Sequence, residues 1–226
     1  MARFHFVEDY QALVKALLKR HSLDEAMSLA VGGHWEEMGH RCANLLISRG
    51  LSNGMRVLDF GCGSGRVAFA LSKHIDLEDF VGIDVVDELT DYARSRCPDT
   101  YRFVISHSLE IPLVPESLDY AYALSVFTHL SQVEIAIYIE EIYRKLRSAG
   151  LFLFSFLEVN RHWELFESTK LSYRRHGKYY PHLNMFMDRT QVDWIAKNVG
   201  FEVVETIEPD DPDYSIGQTV VLMRKR

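Results

Sequence analysis

The chain has 226 residues, 47% hydrophobic and 25% charged, which is enough to bury one sizeable core in a globular protein. With 32 Asp and Glu against 25 Lys and Arg, its formal net charge of -7 argues against an electrostatic grip on DNA or RNA. Cys42, Cys62 and Cys97 are few, odd in number and far apart. They show neither zinc spacing nor a disulfide framework, so no metal site is expected, and a reducing cytoplasm is the expected compartment.

The first 18 residues carry Glu8 and Asp9 and lack the basic start, apolar run and cleavage site of a signal peptide. No stretch approaches the ~18 apolar residues of a membrane span. Residues 10–49 read as amphipathic helix, with Leu13, Leu17 and Leu18 at helical spacing. Gly32-Gly33 breaks the pattern, and a second helix is expected over 35–48. From Met55 onward strands and helices alternate, as in a parallel sheet covered on both faces. Strands are expected at 56–60, 80–84, 101–106, 118–124 and 151–157. Helices follow the first through Lys73, the second over 88–96 and the fourth over 132–146. After an excursion over 158–188, a helix at 191–198 ended by Gly200 leads to a strand at 201–207. The turn at 209–213 is too short for a crossover helix, so the last strand, 219–224, is expected to pair antiparallel.

The run Val57-Leu58-Asp59-Phe60-Gly61-Cys62-Gly63-Ser64-Gly65-Arg66 carries the most information. An apolar strand ends in an acidic residue, and glycines at alternate positions then lead into a helix. Such glycines remove side chains where backbone must turn sharply and let a ligand lie on the main chain. A dinucleotide fingerprint would need its third glycine at 66, where Arg66 stands. The run resembles the first motif of the class I S-adenosylmethionine-dependent methyltransferases of small-molecule type. Softer elements follow in the family's order: Ser106-His107-Ser108-Leu109-Glu110-Ile111-Pro112-Leu113, then Ser117 to Ala121 with Leu124 to Leu130, then Ile142 to Gly150.

The resemblance, which runs from about Met55 to the carboxyl terminus, implies an α/β fold: a doubly wound, seven-stranded, mostly parallel sheet in the order 3-2-1-4-5-7-6, with an antiparallel last strand. The helices ahead of the first strand read as an N-terminal helical cap on or near the cofactor cleft, or else a plain stabilising appendage. Residues 1–50 would be the cap and 51–226 the cofactor-binding domain, with 158–188 a lid-like insertion or else a surface loop or oligomer contact. It implies S-adenosylmethionine as cofactor. Gly61, Gly63 and Gly65 would carry its amino-acid part, and Asp59 would orient the loop and the amino group or bond backbone amides. Asp84, 19 positions beyond Gly65, would accept from the ribose hydroxyls. Val85 would lie on the adenine. His107 stands where the family has aspartate, so His107, or the backbone at Ser108 and Leu109, would meet the adenine amino group.

The expected activity is methyl transfer to a small-molecule acceptor, with oxygen favoured over nitrogen because no amine-holding Asn/Asp-Pro-Pro-aromatic element follows the fourth strand. A non-catalytic cofactor-binding partner subunit and, less well matched, a nicotinamide-dependent oxidoreductase are the rival readings. His129 is a candidate general base with a pKa near neutrality, or else a packing histidine. The excursion places His162, Trp163 and several Arg, Lys and Tyr residues near the acceptor. Trp163 reads as an anchor into the core, and the mixture suits an aromatic, anionic or sugar-like acceptor.

Overall fold

A computed structural model describes residues 4–226; residues 1–3 of the expected cap lie outside the described residues. Three helices open the chain: α1 (His5–Leu18), α2 (Leu23–Ala30) and α3 (Trp35–Ser48). The single helix expected before Gly32 is two, because Ser22 caps α2 by accepting from the Glu25 amide at 3.4 Å. Then come β1 (Arg56–Phe60), α4 (Arg66–Leu71), β2 (Asp79–Asp84), α5 (Asp87–Arg96), β3 (Arg102–Ile105) and β4 (Leu118–Ala123). A 3-10 turn (Phe127–His129) precedes α6 (Gln132–Lys145), β5 (Leu146–Phe156), α7 (Trp163–His176), α8 (Arg189–Val199), β6 (Phe201–Ile207) and β7 (Thr219–Lys225). No helix among the described residues is long and apolar enough to cross a membrane.

The seven strands form one sheet in the order β3-β2-β1-β4-β5-β7-β6. β1 pairs parallel with β2 and β4, while β7 runs antiparallel to both β5 and β6. The order reverses between β1 and β4, so the crevice at their carboxyl ends is where a ligand belongs. β4 is buried at all six positions: Leu118 and the alternating Tyr and Ala fill both faces, and Asp119 is paired with Arg56 at 3.1 Å and Arg147 at 2.7 Å. One apolar cluster lies under α6 and α8 and includes Phe127, Phe152 and Phe154. The other lies under α3 and α4 and includes Leu45, Leu46, Phe80 and Tyr120. A third cluster joins Val14 of α1 and Met27 of α2 to Val86, Leu89 and Tyr92 at α5.

Local signals explain the boundaries. Ser131 and Glu134 form a reciprocal capping box at α6, and Asp188 with Gln191 does the same at α8. Gly200, at φ +110°, closes α8 with its amide on the Ala196 carbonyl at 3.0 Å. β5 starts earlier than its apolar run suggests. Leu146 already pairs with Leu118, and the register then jumps to Tyr120 with Leu151. The intervening turn, with Ala149 at φ +62°, is a bulge within the strand rather than a loop before it.

The excursion contains a 14-residue helix, α7, that buries no residue. Trp163 at its start is 56% exposed, against the expected core anchor. The helix has no apolar face continuous with the core, so its first residue points to solvent, its ring near Phe166 (centroids 5.5 Å).

Candidate functional site

At the end of β1 the chain leaves the sheet while staying bonded to β2: the Gly61 and Cys62 amides both donate to the Ile83 carbonyl, at 2.8 and 3.0 Å. Gly61 has φ +78° and Gly63 φ +54°, a region L side chains rarely adopt. Space is also closed: a Cβ on Gly61 would run into Val126, and one on Gly63 would meet Val31 Cγ1 at 2.7 Å. Gly65 does a different job. It opens α4 against α5, where a Cβ would meet Ala93 Cβ at 2.7 Å, and it does not line the cavity. Ser64, fully buried between them, accepts from Trp35 Nε1 (2.9 Å) and donates to the Met27 carbonyl (3.1 Å). The loop is thereby tied to α2 and α3. Neither link was legible locally, because both partners are about 30 residues away or more.

A cavity of about 460 Å³ opens over this loop. Its wall includes Asp59, Gly61, Gly63, Arg66, Asp84, Val85 and Ser108, and at the other side His129 and His182. Asp59 is 3% exposed, and neither its Oδ2 nor the neighbouring buried Tyr122 hydroxyl makes a hydrogen bond of ordinary geometry. Burial pushes its carboxyl up to about 7; the nearby Tyr122 hydroxyl and the Arg66 guanidinium work against that, and Asp84 with it. Arg66, itself lowered by burial, reaches the Gly33 carbonyl at 3.3 Å.

Asp84 ties the loop to α5. Its Oδ2 accepts from the Gly63 amide (2.8 Å) and its Oδ1 from the Val85 (2.7 Å) and Val86 (3.1 Å) amides. Burial raises its pKa while these three amides lower it. An ionised carboxylate offers about four lone-pair sites, so three bonds leave room for one further donor. His107 does not line the cavity. Its Nε2 donates to the Val85 carbonyl at 2.9 Å, which fixes the strip of chain beside Ser108. Ser108 accepts from the Glu110 amide with its hydroxyl (3.1 Å) and from the Tyr138 hydroxyl with its carbonyl (3.0 Å).

His129 does line the cavity, but its pKa sits at about 4 rather than near neutrality, through burial and the neighbouring His182 ring. Its Nδ1 donates to the Leu183 carbonyl at 2.9 Å. His162 does not line the cavity. It stands at the start of α7 with its ring nitrogens on the Glu158 (3.1 Å) and Gly217 (2.9 Å) carbonyls, so both are engaged by backbone. The cations of the excursion, Arg161, Arg174, Arg175 and Lys178, are exposed and contribute nothing to the cavity wall. From that segment only His182 reaches it.

Two further wall positions stand out: Tyr10, which carries no local motif, and Ser125, in the segment after β4. Tyr10 reaches the cavity from α1. Ser125, at φ +59°, closes a polar ring with Ser155 and Gln218: the Ser125 amide donates to Ser155 Oγ (2.7 Å), Ser155 to Gln218 Oε1 (2.7 Å), and Gln218 Nε2 to Ser125 Oγ (3.0 Å). A non-glycine residue held there is costly backbone, which the ring and the adjoining strands over-determine. Such positions cluster at functional sites.

Residues 57–150 match a protein-family model described as a methyltransferase domain. The chain is 27% identical over 192 residues to a sterol 24-C-methyltransferase of Candida albicans, covering 81% of this chain and 48% of that protein. It spans about half the length, or less, of the curated relatives it matches. In fold it resembles the magnesium protoporphyrin IX methyltransferase of Synechocystis crystallised with S-adenosylhomocysteine: TM-score 0.69, 14% identity, 97% of each chain. A methyltransferase structure from Methanosarcina mazei gives TM-score 0.64 and 18% identity over 80% of this chain and 96% of that one. Residues 57–150 thus carry a methyltransferase-domain match inside a seven-stranded sheet whose fold is that of the solved methyltransferases it resembles.

Proposed function

We propose that the chain transfers a methyl group from S-adenosylmethionine to a small-molecule acceptor, with oxygen preferred to nitrogen. The observation that carries this reading is the unpartnered Oδ2 of Asp59 in the wall of a cavity whose floor is the bared main chain of Gly61 and Gly63. A buried acceptor without a donor is expensive, and the ammonium group of a methionine tail answers it. Arg66 provides a guanidinium for the tail's carboxylate, and Asp84 keeps one acceptor site for a ribose hydroxyl. Val85 and Ser108 line the side where the family resemblance puts adenine, with His107 bracing Val85 from behind.

S-adenosylmethionine supplies a methyl group already activated by its sulfonium. What remains for the chain is to align the acceptor and exclude water. His129 Nε2 keeps its lone pair because the Leu183 carbonyl holds the hydrogen on Nδ1, so it can orient an acceptor hydroxyl by accepting its hydrogen bond, which supports oxygen. With its pKa depressed to about 4 it is a weak base for removing the proton. Residues 1–50 act as a cap in this reading, since Phe6, Tyr10, Leu13, Met38 and Cys42 all line the cavity. The lid role of 158–188 rests on His182 alone. Calorimetric titration with S-adenosylhomocysteine and with NAD tests the reading. Binding of the first only is expected; binding of NAD only would overturn it.

A further inference from the structure

Past the end of β4, three rings from remote parts of the chain meet in the cavity: Tyr10, His129 and His182. His129 and His182 are edge to face at 4.5 Å between centroids, Tyr10 and His129 are at 5.2 Å, and Tyr10 and His182 stack at 5.7 Å. Phe6, Leu13 and Leu130 line the same cavity.

We propose that this cluster is the acceptor subsite and that it selects an uncharged, largely apolar molecule bearing a hydroxyl group, received by His129 Nε2. The inference rests on the methyltransferase reading above and commits it to an acceptor class. Three observations carry it. A carbonyl can only accept, so the Leu183 contact fixes the hydrogen on His129 Nδ1 and leaves a lone pair on Nε2. His182 Nδ1 is buried with no partner, so a second polar contact is open beside the first. Finally, Arg66 is the one Lys or Arg among the described residues that line the cavity, and it reaches toward the α2–α3 turn. Asp59, Asp84 and Glu110 share the wall, and Asp9 acts on His182. Glu134 lies 3.9 Å from His5, whose ring touches the His129 carbonyl. An anionic acceptor would be buried here without a counter-ion.

The test uses the full chain saturated with S-adenosylhomocysteine and two probes of one ring system, 2-naphthol and 2-naphthoate, titrated calorimetrically at pH 7.5. The naphthol is expected to bind at least about tenfold more tightly than the carboxylate. His129→Asn retains a donor in place of Nδ1 and deletes Nε2; it should weaken naphthol binding about fivefold with S-adenosylhomocysteine affinity unchanged. His182→Arg places a cation beside the probe and should raise naphthoate affinity about tenfold. Equal or tighter binding of naphthoate by the wild type overturns the inference. So does failure of both probes, or undiminished naphthol binding by His129→Asn. A chain that does not bind S-adenosylhomocysteine overturns the cofactor reading itself, and this inference with it.

Discussion

Gly61→Ala is the sharpest probe of the glycine loop. Two costs add. Holding alanine at φ +78° costs about 1–2 kcal/mol in the left-handed region. The new methyl then overlaps Val126, and forcing such an overlap into a packed site costs roughly 1–3 kcal/mol. The substitution should therefore destabilise the fold by about 3 kcal/mol and abolish S-adenosylhomocysteine binding. Val126→Ala alone, at a partly buried position, should cost about 1 kcal/mol. In the double variant the overlap with the two γ methyls disappears, leaving the backbone term and a tight 3.3 Å contact with Cβ of residue 126, so the pair should be more stable than additivity predicts by about 1–3 kcal/mol. Equilibrium urea unfolding of the four proteins reads this directly. If Gly61→Ala lies within about 0.5 kcal/mol of wild type, or if Val126→Ala restores nothing, the closed-space argument is wrong.

Asp84→Ala should weaken S-adenosylhomocysteine binding by about tenfold or more, since a charged acceptor bond is worth ~1.5–3 kcal/mol; unchanged affinity in calorimetry removes the ribose assignment. Asp59 and His129 should pull stability in opposite directions over one pH window. His129, depressed to about 4, contributes stability that is lost as pH falls from its ordinary value through 4, whereas Asp59, raised to about 7, contributes stability lost as pH rises through 7. Asp59→Asn should thus lose stability relative to His129→Asn as the pH is lowered from 6.5 to 4.5, and parallel urea profiles would refute the pair. Trp163→Ser should shift stability by less than about 0.5 kcal/mol, because the ring faces solvent; a larger loss in thermal unfolding would show that it packs.

What could be read from the sequence was what neighbours in sequence decide. β1 and β6 fall on the expected residues because each is rich in Val, Leu, Ile and Phe and bounded by glycine, Gly61 after one and Gly200 before the other. The antiparallel β6–β7 pair follows from the length of a turn, whereas the strand order comes from the family that the motifs resemble, the chain's own pattern giving only the alternation of strands and helices. The excursion departs from its composition for a related reason. Its Arg, Lys and Tyr residues suit an acceptor by type, but on α7, a helix without a buried face, Lys170, Tyr173, Arg174 and Arg175 are exposed. Composition says what a segment could bind and not where its side chains face.

The two ends of the cavity differ in just this respect. The cofactor side is built largely from consecutive residues, 59–66 and 84–85, on two paired strands, held together by the Gly61 and Cys62 amides on the Ile83 carbonyl and the Gly63 amide on Asp84. Its chemistry therefore leaves a spacing that can be seen in the chain. The acceptor side draws Tyr10 from a helix ahead of the sheet, His129 from a turn after β4, and His182 from the segment beyond α7. No short-range pattern links them, and only His129 stands out alone, as a candidate general base. Only the sheet, by setting the end of β4 beneath α1 and beside residues 182–183, makes them one surface. The same division lets acceptor preference change with single substitutions at remote positions while the cofactor loop stays as it is. Tyr10, His129 and His182 are accordingly the positions where a change of acceptor should appear first, without loss of S-adenosylhomocysteine binding.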